Sequence, residues 1–220
     1  MWSPADLTIL VPVLHRPWRV ERLLSSITST TPEAEVLFLC TVGDRAQIAA
    51  VEATSAPHID VGWRPGDYAR KIQAGYEATN RPLLFLGADD LLFHPGWFPA
   101  AAKKLTTGIG VVGTNDLTNP RVMSGKHATH SLVTRAYVDE FGTIDEPGKV
   151  LHEGYVHEFV DDELVGTAKR RGAWAFATDA QVEHLHPMAG KAPMDELYAA
   201  QASRMAASRD LYRRRCRLWT

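Results

Sequence analysis

The chain has 220 residues, of which 45% are apolar and 23% charged, the proportions of an ordinary globular protein of one domain. A net charge of −2 gives no global attraction to nucleic acid or to an anionic membrane. No apolar run approaches the roughly 18 residues of a bilayer span, the first six residues lack the basic segment of a secretion signal, and two cysteines make neither a disulfide framework nor a zinc motif; a reducing cytoplasm is the expected setting.

Residues 7–14 form an apolar run that predicts a buried strand, ended by His15-Arg16-Pro17. Over 18–28, Val20, Leu23, Leu24 and Ile27 lie on one face of a helix. A second strand is predicted at 34–40, a short helix at 45–53 and a short strand at 59–63. Residues 64–67 read as a turn, with Asp67 placed to cap a helix over 68–79. A strand at 83–86, a helix over 97–105 behind Pro95-Gly96, and a strand at 109–113 follow. This alternation of strand and helix predicts a parallel, helix-covered sheet. There is no Gly-rich dinucleotide fingerprint and no Walker-type phosphate loop.

The second half is more polar. Residues 114–127 read as a loop, 131–134 as a strand and 146–148 as a turn. A helix is predicted over 157–171 with Gly172 as its C-terminal cap, then short strands at 174–177 and 180–185, and a final helix over 193–215 with its acids early and its arginines late.

Leu83-Leu84-Phe85-Leu86-Gly87-Ala88-Asp89-Asp90 is the most informative stretch. Its carboxylates fall just past a buried strand, where open α/β sheets place their ligand crevice. Paired hard oxygens there suit Mg²⁺ or Mn²⁺. Alone, the two aspartates would only end the strand and cap a turn. Three further groups bear on the choice: Pro12-Val13-Leu14-His15-Arg16, then Tyr68 to Gly75, then Asp161-Asp162-Glu163-Leu164 with Val182-Glu183-His184-Leu185-His186 behind it.

In this order the motifs resemble those of the family-2 glycosyltransferases, over roughly residues 7–187. The resemblance implies an α/β GT-A fold in a single domain, a mixed, mostly parallel central sheet flanked by helices. Residues 1–113 would be the nucleotide-sugar half, 114–192 the acceptor and catalytic half, and 193–220 a C-terminal helix. It implies a metal-dependent, inverting transfer of one sugar from a nucleoside-diphosphate sugar to a hydroxyl acceptor, which could be a protein, a modified nucleobase, a glycan or a small molecule. The cation, Mn²⁺ or Mg²⁺, would sit on Asp89 with His184 or His186. Asp161, with Asp162 as close rival, would be the base that deprotonates the acceptor. Donor contacts are expected from Pro12, Val13, His15 and Arg16, from Thr41 and Asp44, from Lys71 and Gln73, and from Ala88 and Asp89; Arg70 is an alternative to Lys71 for a phosphate oxygen.

Two departures stand out. Gly87 holds the place of the first acid in the family's metal motif, and Cys40 to Asp44 hold the place of the acidic pair that often grips the base. The rival expectations are a nucleotidyltransferase acting on sugar phosphates, which would normally carry glycine after the first strand, and a non-catalytic nucleotide-sugar-binding relative. The C-terminal Arg213-Arg214-Arg215-Cys216-Arg217 run reads as a favourable helix end, with a donor diphosphate or an anionic acceptor as the other partner it could meet.

Overall fold

Strand β1 (Leu7–Pro12) is the hub of the sheet, paired in parallel with β2 (Glu35–Thr41) on one side and with β4 (Leu83–Leu86) on the other. The computed structural model describes residues 1–64 and 67–219, with side chains at all of these except 201–204. The turn predicted at 64–67 therefore falls partly outside the described residues, at Pro65 and Gly66. Beyond β2 lies β3 (His58–Val61), also parallel. Next to β4 the direction reverses: β7 (Ser131–Thr134) is antiparallel to β4 and to β6 (Val111–Asn115). Strand β8 (Trp174–His184) pairs in parallel with β6, and β5 (Leu91–Phe93) closes the order β3-β2-β1-β4-β7-β6-β8-β5. Four of these seven pairings are parallel.

The period of two along each strand splits the core into two layers. Ile9, Val11, Phe38 and Phe85 face one layer, with Leu23 and Ile27 of α1 (Val20–Thr30), Val51 of α2 (Arg45–Glu52) and Trp97 of α4 (Trp97–Ala102). Leu10, Leu39, Leu84 and Leu86 face the other, against Ile72 of α3 (Asp67–Ala78), Val138 of α6 (Arg135–Glu140) and Leu164 of α7 (Val160–Arg170). Phe93 of β5 and Phe85 both meet Trp97 edge-on with ring centres 5.0 Å apart, which anchors β5 to the first layer.

Helix α3 lies very close to the sheet because Gly75 has no side chain. A Cβ there would stand 2.8 Å from Leu10 Cδ2. Gly87 is as closely approached, and by backbone rather than a side chain. Its N–H donates to the Leu10 carbonyl at 2.9 Å, and a Cβ on it would come within 2.8 Å of that same backbone oxygen. Parallel pairing thus runs one residue past β4, and the chain then turns out at Ala88.

Several predicted elements need correction. The strands predicted at 174–177 and 180–185 are one, β8, whose register to β6 shifts between Thr114 and Asn115. The predicted loop at 114–127 contains the short helix α5 (Pro120–Met123), capped by Asn119. The final helix is broken into α8 (Glu196–Ala199) and α9 (Gln201–Arg215). Asp67 spends one carboxylate oxygen on Lys71 at 2.6 Å, an ion pair one turn along the helix. Gly172 caps α7 as expected, with φ +67° and the Ala173 N–H returning to the Ala168 carbonyl.

No helix among the described residues is long and apolar enough to cross a membrane.

Candidate functional site

The C-terminal ends of β1, β4, β6 and β8, the start of α7 and the arm that precedes α9 surround a cleft of about 1000 Å³. Of the sequence-predicted residues, Pro12, Val13, Arg16, Lys71, Ala88, Asp89, Asp161, Asp162, His184 and His186 line it. His15, Thr41, Asp44 and Gln73 do not.

Those four serve the scaffold. His15, at φ +52°, donates its N–H to Asp44, which also caps α2 by accepting from the Gln47 N–H. Gln73 is buried, taking the Val150 N–H at 3.0 Å and donating to the Gly148 carbonyl at 3.1 Å. Thr41 accepts from Lys71. The Lys71 ammonium is 1% exposed and donates to the Val13 carbonyl at 2.7 Å, Thr41 Oγ1 at 2.6 Å and Asp67. All three of its hydrogens are engaged in tying β1, β2 and α3 together, so it has none left for a phosphate.

The adjacent carboxylates after β4 diverge. Asp89 turns toward the start of α1, where Arg16 Nη1 and Arg19 Nη1 lie 3.0 and 3.2 Å from its Oδ1. Asp90 turns toward β8, with His184 Nε2 at 3.1 Å from its Oδ2 and the Tyr198 hydroxyl donating to that oxygen at 2.6 Å. Burial and the neighbouring Asp90 charge push the Asp89 carboxyl up, against the pull of the two arginines. Burial opposes ionisation of Asp90 too, but His184 and the Tyr198 hydrogen bond outweigh it and hold Asp90 well below the usual carboxylate range.

His130 completes this corner and was not singled out from sequence. It precedes β7, and the antiparallel pairing of β7 with β4 carries its Nδ1 to 3.0 Å from the Leu86 carbonyl. A carbonyl can only accept, so Nδ1 bears the hydrogen and Nε2 presents a lone pair. Burial, with the His184 charge, lowers the His130 imidazole to about 4, which keeps it neutral at pH 7. Both His130 Nε2 and Asp90 Oδ1 are buried without a hydrogen-bond partner among the described residues.

Asp90, His130 and His184 offer ligand atoms within 4.8 Å of one another. Two orphaned acceptors on neighbouring buried side chains, next to a third ligand, form a donor set that a divalent cation would satisfy. The carbonyl behind His130 is the kind of outer contact that orients metal-ligating histidines. The expected ligands Asp89 and His186 stand outside this set. Asp89 is taken by arginines, and His186 Nδ1 accepts the Met188 N–H at 3.2 Å.

Helix α7 opens at Phe159, held at φ +68°, an unfavourable conformation for a non-glycine residue. Asp161 and Asp162 follow in its first turn, where the helix dipole favours negative charge. Asp162 is paired with Arg121 at 2.9 Å. Asp161 Oδ2 lies 3.1 Å from His127 Nε2. Burial resists ionisation of both partners, but their mutual hydrogen bond and charge prevail: Asp161 is lowered and His127 raised. Glu163 points the other way, into the protein, where it meets Arg215 at 2.7 Å and accepts from the Tyr155 hydroxyl at 2.7 Å. Arg215 also reaches Asp145 at 2.6 Å, so this member of the basic run fastens α9 to the body.

No protein-family model matches the chain, and no curated protein matches it in sequence. Solved structures match it in fold. A mannosyltransferase from Pyrobaculum calidifontis, in complex with GDP-Man and Mn²⁺, superimposes with a TM-score of 0.67 at 16% identity over 93% of this chain. That match takes in 62% of the mannosyltransferase, so the chain spans less than two thirds of its length. Glucosyl-3-phosphoglycerate synthase from Mycobacterium tuberculosis, in complex with Mn²⁺, UDP and glucosyl-3-phosphoglycerate, gives a TM-score of 0.58 at 19% identity over 94% of this chain and 82% of its own. The same synthase with Mn²⁺ and UDP-glucose gives 0.59. The chain has the GT-A fold that its motif order implied.

Proposed function

We propose that this chain is a metal-dependent glycosyltransferase that moves one sugar from a nucleoside-diphosphate sugar to a hydroxyl acceptor, with inversion at the anomeric carbon. The observation that carries the reading is the buried Asp90–His130–His184 corner with its two orphaned acceptors, in one cleft with the Asp161–His127 pair. The fold neighbours were solved with Mn²⁺ and GDP-Man or UDP-glucose, which supports the same choice of donor and ion.

Asp90, His130 and His184 would hold Mn²⁺, whose mixed nitrogen and oxygen set suits it better than Ca²⁺. Bound there, the ion supplies positive charge where a departing nucleoside diphosphate builds up negative charge. The remaining roles belong to the chain. Arg16, and Arg19 beside it, offer guanidinium forks to diphosphate oxygens. Residues 1–113 serve chiefly the donor, and 114–192 the acceptor and the catalytic groups. Asp161, kept ionised by His127 and the helix start, takes the proton from the acceptor hydroxyl. Asp162, neutralised by Arg121, is the weaker candidate for that step. Two free cysteines, Cys40 and Cys216, accord with a cytoplasmic setting.

The test is incubation with UDP-, GDP- and dTDP-sugars, MnCl₂ and a panel of hydroxyl acceptors. Metal-dependent release of nucleoside diphosphate with a glycosylated product is the expected result. Release of pyrophosphate from a sugar phosphate and a nucleoside triphosphate would replace this reading with nucleotidyl transfer.

A further inference from the structure

The cleft is partly occupied by the chain itself. Arg16 Nε and Nη2 donate in parallel to Asp195 Oδ2 and Oδ1, at 2.8 and 2.9 Å. This two-pronged grip is the one guanidinium groups use on phosphate as well as on carboxylate. Three residues on, the Tyr198 hydroxyl donates to Asp90 and accepts from Arg19 Nη1 at 3.0 Å. The Tyr198 ring lies 4.0 Å beneath the Arg16 guanidinium and 4.7 Å from the His186 ring. Asp195 caps α8 through the Tyr198 N–H, which locks the two contacts into one unit. The arm leaves β8 through Gly190, at φ +68°, and Lys191, whose Nζ holds the Leu117 carbonyl at 2.8 Å.

We propose that residues 187–199 form an autoinhibitory strap, in which Asp195 occupies on Arg16 the place of the donor's diphosphate and Tyr198 holds Oδ2 of the carboxylate whose other oxygen a cation would take. This rests on the donor-site reading above. The substitution is like for like. On Arg16 a carboxylate fork is exchanged for phosphate oxygens, and Tyr198, tied to Asp195 through the α8 cap, leaves Asp90 Oδ2 as the strap lifts. The donor therefore opens the strap at Arg16, and neither Arg16 nor Asp90 is left unpaired when it goes, since Arg16 keeps Asp89 and Asp90 keeps His184. The affinity of the resting protein for nucleoside diphosphate is therefore set below what the open cleft would give.

Two variants test this. Asp195→Asn keeps a good N-cap for α8 while weakening the grip on Arg16; Tyr198→Phe removes only the hydroxyl. In the free protein, chymotrypsin should cut within 187–199 several times faster in Asp195→Asn than in the wild type; equal rates would overturn the strap without reference to any nucleotide. In calorimetric titrations with MnCl₂ plus UDP or GDP, both variants should bind at least about fivefold tighter than wild type, the lower end of ordinary coupling between sites. Equal or weaker binding by the variants would overturn the inhibitory role and make the arm a lid that helps to hold the donor. Absence of binding by all three proteins would instead sink the donor-site reading and the competition with it.

Discussion

His127 Nε2 stands 3.1 Å from Asp161 Oδ2 at the first turn of α7, so the carboxylate proposed as the base meets the cleft already bonded to an imidazole. The pair lowers Asp161 and raises His127. A base must be ionised to accept a proton, so turnover falls as pH drops through the folded-state value of Asp161. Replacing His127 with Asn removes the largest influence that holds that value down, leaving only backbone N–H groups at the helix start against the upward push of burial. The acidic limb of kcat/KM against pH should therefore move to higher pH in His127→Asn, with the alkaline limb in place.

Asp161→Asn should lower kcat by about 10²–10⁴-fold, the usual contribution of a general base, and leave binding of Mn²⁺ and nucleoside diphosphate unchanged. Asp162→Asn should keep most of the turnover, because Arg121 already neutralises that side chain. Steady-state rates with calorimetry on each variant separate the two. The reverse pattern would shift the assignment by one residue.

The cation should follow Asp90 and His130. Saturating Mn²⁺ at about 100 times its dissociation constant stabilises a protein by about 2.7 kcal/mol, a rise in Tm readable by thermal shift. That rise should vanish in Asp90→Ala and shrink strongly in His130→Ala. It should persist in Asp89→Ala and His186→Ala, since Asp89 is engaged with Arg16 and Arg19 and His186 with the Met188 N–H.

The Arg215–Glu163 pair is buried on both sides, at 8% and 4% exposure. Arg215→Ala should destabilise by about 3–5 kcal/mol, the range for stranding a buried charge, or on the order of 10 °C in Tm for a domain of this size. Asp145, on the more exposed side of the same arginine, has its carboxyl lowered chiefly by the Arg215 hydrogen bond. Its contribution is thus present above the unfolded carboxylate value and is lost as pH falls through the lower, folded one. The Tm difference between wild type and Asp145→Asn should narrow toward pH 3.

Much of the fold was legible because β1, β2 and β4 are buried on both faces and read as apolar runs. The strand at 83–86 coincides with β4, and that at 131–134 with β7. Strand β5 is three residues long and α6 six, too short for a period to register. The site was legible as a neighbourhood but not as a set of contacts. Asp89 and Asp90 are adjacent in sequence, yet Asp89 is claimed by arginines about 70 residues earlier and Asp90 by a histidine 94 residues later, and no local pattern encodes that choice. His130 carried one signal, the His-x-x-His spacing with His127 at the edge of a strand, but only the reversed direction of β7 gives it a meaning.

Gly87 limits how this protein can be re-engineered. An aspartate there would match the family's metal motif, and on paper it looks like a simple gain of one ligand. The backbone oxygen of Leu10 already fills the volume its Cβ would need. Any side chain at 87 would wedge the first and fourth strands apart and spoil the alignment from which Asp89 and Asp90 diverge. A selection for tighter metal or donor binding should therefore leave Gly87 untouched and accumulate changes in the arm around Asp195 and Tyr198.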